Sequence, residues 1–152
     1  MTNSGIPSFV EWVAAASEAR RADPIWSVQA FRLALYAIDC HTSDRRTHDQ
    51  LPAAPTLGQL TRAVGSVAAN IAEGYSRSSL ADRNRFYEYA LGSIREAVAW
   101  YDTLRFELGA ITDERQSTLI QVRRLLLTTL RTSRPSAGLS AISDKTRVNR
   151  GD

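Results

Sequence analysis

The sequence predicts an all-α fold: a bundle of amphipathic helices with an extra short helix at its N-terminus and a disordered tail at its C-terminus. Three stretches carry this reading. Leu57, Leu60, Val64, Val67 and Ile71 recur at spacings of three and four, which puts them on one stripe of a helix. Tyr87, Ala90, Ile94, Ala97, Tyr101, Leu104 and Leu108 keep the same rule for about three heptads, the seam of a bundle. Leu119, Val122, Leu126 and Leu130 repeat it once more.

In chain order, residues 1–22 form an arm and a short helix. Ser8-Phe9-Val10-Glu11 reads as a capping box, opening a helix to about Arg21 with Phe9, Trp12, Val13 and Ala16 on its apolar side. An exposed aromatic pair is costly, so this helix is expected to pack across an open edge of the bundle; the alternative is that it is a docking helix for a partner. Residues 23–134 form the bundle itself. Asp23-Pro24 supplies an N-cap and a proline at the first helical position. Val28, Phe31, Leu35 and Ile38 then read as a buried stripe. Trp26, Ala30, Leu33 and Ala37 give a second apolar side, which suggests contact beyond the bundle. Residues 41–55 read as a polar, proline-bounded connection.

The next helix opens at Thr56-Leu57-Gly58-Gln59, again of capping-box form, with Pro52 and Pro55 just before it. Gly74 is expected to end it in the left-handed conformation of a C-cap. Its second face carries Arg62, Ser66, Asn70 and Glu73, with Gly58, Gly65, Ala69 and Ala72 leaving room for a close neighbour. An antiparallel turn at 74–79 brings Ser93 and Glu96 towards that face. The expectation is a partly buried polar network of Arg62, Ser66, Asn70, Glu73, Ser93 and Glu96, since buried charge must be paired. Phe86 and Trp100 share the stripe of Ser93 and Glu96. Gly109 closes the third bundle helix. Thr112-Asp113-Glu114 starts the fourth, with acids at its positive end. Residues 135–152 are rich in Ser, Gly and charge and read as disordered.

Gln59-Leu60-Thr61-Arg62-Ala63, Ser66, the run Asn70-Ile71-Ala72-Glu73-Gly74-Tyr75-Ser76-Arg77, Phe86, Ala90, Ser93 and Glu96 carry a resemblance. They look like the signature of a bacterial four-helix-bundle family first noticed in intervening sequences of large-subunit ribosomal RNA genes. That family is similar to the accessory protein of diversity-generating retroelements. The resemblance is specific over 57–100 and looser over 24–40 and 112–133, and it does not cover 1–22 or the tail after 134. Ser76 stands where the family often has glycine. Three things are implied by the resemblance. The fold is an antiparallel up-down four-helix bundle, with Gly74, Tyr75 and Arg77 at the turn between its second and third helices. The assembly is a ring-shaped homopentamer. The partner is RNA or a reverse transcriptase.

Composition restrains the functional reading. The net charge is +3, but 134–152 holds four of the 19 basic and two of the 16 acidic residues, leaving 15 against 14 in the body. Of the basic residues only Lys145 is a lysine, a bias read as genomic base composition. The one notable cluster is on the fourth bundle helix, where Arg123, Arg124, Arg131 and Arg134 fall within an arc of roughly 100° at 3.6 residues per turn. This is the candidate nucleic-acid-binding surface. Its competing reading is a solvated face with cations at a helix C-terminus, or one that pairs with acids of a neighbouring subunit; the chain would then be a structural or protein-interaction scaffold without nucleic-acid binding. Arg77 and Arg83, at the opposite end, are secondary candidates.

Catalytic signals are missing. No phosphate loop, zinc-ligand pair or nucleophile elbow occurs. A di-iron site built on Glu73 and Glu96 needs a Glu-x-x-His pattern on two helices, and no histidine follows His48. Ser66 and Ser93 have no histidine on the bundle helices to act as base. His41, His48, Cys40, Asp44 and Asp49 lie together in sequence but without ligand spacing. No catalytic residue, metal, cofactor or small-molecule substrate is therefore expected. A single cysteine excludes a disulfide framework within the chain. No secretory leader or membrane-spanning run is read, so a cytoplasmic location is expected.

Overall fold

The computed structural model describes residues 6–47 and 55–133. The expected tail, Arg134 and the segment with His48 and Asp49 lie outside them. Among the described residues every regular element is helical. Helices α3 (Gln29–Thr47), α4 (Pro55–Tyr75), α5 (Leu80–Thr103) and α7 (Ile111–Thr132) form the bundle. Each packs against two of the others, in the cycle α3–α4–α5–α7. His41, Thr61 and Tyr101 meet at one level, while Gly74 and Tyr87 meet at the other end. Residue numbers that rise along one helix and fall along the next mark up-down topology.

The three sequence stripes are the core. Leu60, Val64, Val67 and Ile71 of α4 are buried, as are Tyr87, Ala90, Ile94, Ala97 and Tyr101 of α5 and Leu119, Val122, Leu126 and Leu130 of α7. Leu104 and Leu108 continue the α5 stripe through the short helix α6 (Arg105–Leu108). Gly109 then reverses the chain at φ +57°, ψ −134°, a conformation open to glycine.

The phase of α3 differs from expectation. Ala30, Leu33, Ala34 and Ala37 are its buried residues, and Val28, Phe31, Leu35 and Ile38 are half-buried at the flanks. When both sides of a helix are apolar, periodicity finds the stripes but cannot choose between them. Here the alanine side wins because small side chains let α4 and α7 approach closely. Trp26 and Leu33, expected to face outward, are buried. The helix also runs through residues 41–47, which read from sequence as a loop.

The N-terminal segment splits into α1 (Phe9–Ala14) and α2 (Glu18–Ala22), with Ser17 capping the second. Ser8 and Glu11 complete the capping box on α1. Asp23 accepts from the Ile25 amide and caps a 3-10 turn, Pro24–Ser27, rather than α3. Helix α1 packs on α3 as a second layer. Trp12 lies 5.8 Å from Trp26 and 5.7 Å from Tyr36, ring centre to ring centre. Its indole Nε1 donates to Asp39 Oδ2 at 2.8 Å.

Two expected caps take other forms. Helix α4 begins at Pro55, so Thr56 sits in its first turn rather than at the cap; proline suits that first position because it has no amide hydrogen to leave unpaired. Gly74 is not left-handed, and α4 continues to Tyr75. The glycine serves close approach instead, since a Cβ there would stand 2.7 Å from Tyr87 Cε1.

Candidate functional site

Two sets of polar residues could carry function: one inside the bundle and one on its surface. The inner set lies where α3, α4, α5 and α7 meet. Asp44 and Arg115 are both buried, and the carboxylate accepts from Arg115 Nε at 2.7 Å and Nη2 at 2.8 Å. His41 Nε2 is 2.9 Å from Thr61 Oγ1, and its Nδ1 is 3.4 Å from the Tyr101 hydroxyl. Cys40 is buried beside them.

Burial governs the ionisation of this set. It holds the His41 imidazole down to about 4, so the ring is neutral at pH 7. It pushes the Cys40 thiol up to about 11 and keeps the Tyr101 phenol protonated. Burial is the largest influence and works against the Arg115 cation, but its hydrogen bonds to Asp44 and the surrounding negative charge together outweigh it, and the guanidinium stays charged. A protonated thiol, a neutral ring and a fully paired ion pair, all closed to solvent, tie four helices together. They offer no activated nucleophile to a substrate. Among the described residues no cluster of three or more His, Cys, Asp or Glu side chains is arranged to hold a metal.

The polar network expected between α4 and α5 does not form within the subunit. Arg62, Glu73 and Glu96 are exposed, and Ser66, Asn70 and Ser93 are only half-buried. Asn70, Ser93 and Glu96 find partners on their own helices, and Glu73 finds one just beyond the end of α4. Asn70 Nδ2 donates to the Ser66 carbonyl at 2.9 Å, and Ser93 Oγ to the Tyr89 carbonyl at 3.1 Å. Glu96 accepts from the Trp100 indole at 3.3 Å, and Glu73 pairs with Arg77 one turn on. The physical reason is register: the alanine and valine stripe of α4 takes the interface with α5, which turns the polar row to the rim. At the turn, Tyr75 is exposed, and Arg77 lies over the Phe86 ring at 5.0 Å. Arg83 donates to the Arg77 carbonyl.

On the surface, Arg123, Arg124 and Arg131 are exposed on α7, with Ile120 and Leu127 half-buried between them. Arg134, the fourth member of that arc, lies outside the described residues.

The family profile for the 23S rRNA-intervening sequence protein matches residues 40–129. The chain belongs to that family. The match takes in His41, Asp44, Arg115 and the exposed arginines Arg123 and Arg124. It leaves α1, α2 and most of α3 outside. The bundle is also similar to the solved structure of a protein of unknown function from the S23 ribosomal protein family of Bacteroides thetaiotaomicron. That likeness has a TM-score of 0.56 at 17% identity, and covers 66% of this chain and 94% of the other. At that identity it speaks for the fold alone. No curated protein matches the chain.

Sequence reasoning missed the inner set. Its signal was nevertheless present, because Arg115 sits four residues before Leu119 on the core stripe of α7. Asp44 likewise extends the series Leu33, Ala37 and Cys40 of α3. A charge on each of two converging stripes points to a buried pair.

Proposed function

We propose that this chain is a non-catalytic helical-bundle protein that associates with structured RNA through the outward face of α7. The observation that carries the reading is the exposure of Arg123, Arg124 and Arg131 on one side of that helix. Arginine forks suit phosphate oxygens. Membership in a family named for a ribosomal RNA intervening sequence supports the same partner. The burial of Cys40, His41 and Tyr101 supports a role without catalysis. No helix among the described residues is long and apolar enough to cross a membrane, in keeping with work in the cytoplasm beside RNA.

The subunits assemble as a homo-oligomer, the ring of five that the resemblance implies. Arg62, Glu73 and Glu96, exposed on the single subunit, would then be accessible to groups of a neighbouring subunit. Light scattering of the purified protein reads the subunit number directly. The test of RNA association is a filter-binding titration against structured RNA at two salt concentrations. Binding that weakens steeply with salt is expected, because phosphate contacts release counterions. Absence of binding at low salt, or binding indifferent to salt, overturns the reading.

A further inference from the structure

A groove of about 550 Å³ runs between α5 and α7. Ile94, Val98 and Ile120 form an aliphatic floor, and Arg95 of α5 faces Arg123 of α7 across it. Gln116 braces the walls by donating to the Val98 carbonyl at 3.2 Å. The one carboxylate lining the groove, Asp102, has its own cation in Arg105 at 3.7 Å. The groove therefore presents two arginines to a ligand, over an aliphatic floor.

We propose that this groove seats one unpaired strand of RNA, with phosphates held between Arg95 and Arg123 and base faces laid on the aliphatic floor. The inference rests on the RNA reading above and assigns it a place, a strand state and a new residue, Arg95. Charge complementarity selects a polyanion. The apolar floor selects one whose base faces are open, which duplex RNA does not offer at its surface. Width points the same way. Axes of packed helices lie roughly 8–10 Å apart, so the valley between them admits a single strand and excludes the convex cylinder of a duplex. From Arg123 the strand continues along α7 towards Arg131, about 12 Å further on at 1.5 Å per residue.

The test uses the full chain, an oligouridylate strand and its duplex with oligoadenylate, followed by fluorescence anisotropy. Arg95→Glu removes one wall of charge. Ala99→Trp fills the groove from an exposed position on its rim. Both sites are on the surface, and melting curves check that each variant is folded. The expected result is preference for the single strand, with each variant binding about tenfold more weakly. Arg95→Gln should also flatten the dependence of log affinity on log salt by roughly 0.7. If the wild type binds RNA and both variants bind equally well, or if the duplex is preferred, the groove is overturned and the RNA reading stands. If the wild type binds neither probe nor structured RNA at low salt, the RNA reading itself has failed.

Discussion

Asp44 and Arg115 stand 71 residues apart in sequence and share two hydrogen bonds, of 2.7 and 2.8 Å, inside the bundle. Both side chains are almost wholly out of water. Removing one partner takes from the other its buried, doubly hydrogen-bonded counter-ion, which costs about 3–5 kcal/mol. Asp44→Ala and Arg115→Ala should each lose stability of that order in urea unfolding at fixed protein concentration. Asp44→Leu combined with Arg115→Met should recover at least half of it, because the double change leaves no unpaired charge. Single losses below about 1 kcal/mol would mean that water reaches the pair.

His41 makes stability depend on pH. Burial holds its folded pKa down to about 4, against an ordinary value near 6.5. Between those values the unfolded chain binds more protons than the folded one, so stability rises with pH. The contribution is complete above about pH 6.5 and is lost as pH falls through 4. It amounts to a few kcal/mol, at about 1.4 kcal/mol per pKa unit. The midpoint of urea unfolding should drop over that window, and His41→Gln should flatten the drop. An unchanged slope in the variant would assign the pH dependence to other groups.

These two residues show where the sequence was legible and where it was not. The stripes of α4, α5 and α7 could be read because each has one apolar side, and a helix with one apolar side has one way to face a core. Helix α3 has two, and the choice between Leu33 and Phe31 depended on how closely α4 and α7 approach, which is not written in α3 itself. The polar residues His41 and Asp44 made the end of α3 look like a loop. They are helical because their partners, Thr61, Tyr101 and Arg115, come from three other helices. The surface arginines Arg123, Arg124 and Arg131 were legible from spacing alone. Arg95 was not, since only the packing of α5 against α7 places it opposite Arg123.

The glycines of the central helices should respond in opposite directions. At Gly74 an added Cβ would meet Tyr87 Cε1 at 2.7 Å and Cδ1 at 2.9 Å, with the Arg83 carbonyl at 3.1 Å. Tyr87 is buried and the carbonyl belongs to the backbone, so neither can move cheaply. Gly74→Ala should cost about 1–3 kcal/mol by overpacking. Gly92 lies inside α5 with nothing within 4 Å of its virtual Cβ. Gly92→Ala should gain about 0.5–1 kcal/mol by removing backbone freedom from the unfolded chain. Thermal unfolding of the two variants side by side decides the matter. A neutral Gly74→Ala would show that the α4–α5 crossing is looser than described.

Trp12 should prove to be the anchor of the N-terminal layer. Its ring packs among Phe9, Trp26 and Tyr36, and its indole donates to Asp39. Trp12→Phe keeps much of the ring contact and strands the half-buried acceptor, at about 1 kcal/mol. Trp12→Ala also opens a cavity, at about 3–5 kcal/mol if the layer folds with the bundle. The distinction matters because, among the described residues, α1 packs on the bundle chiefly through α3. If Trp12→Ala leaves global unfolding unchanged while protease cuts the segment before Pro24, the layer unfolds on its own, with a lower stability than the bundle. If both shift together, α1 and α3 form one cooperative unit, and Trp12 then helps to fix α3 against α4 and α7.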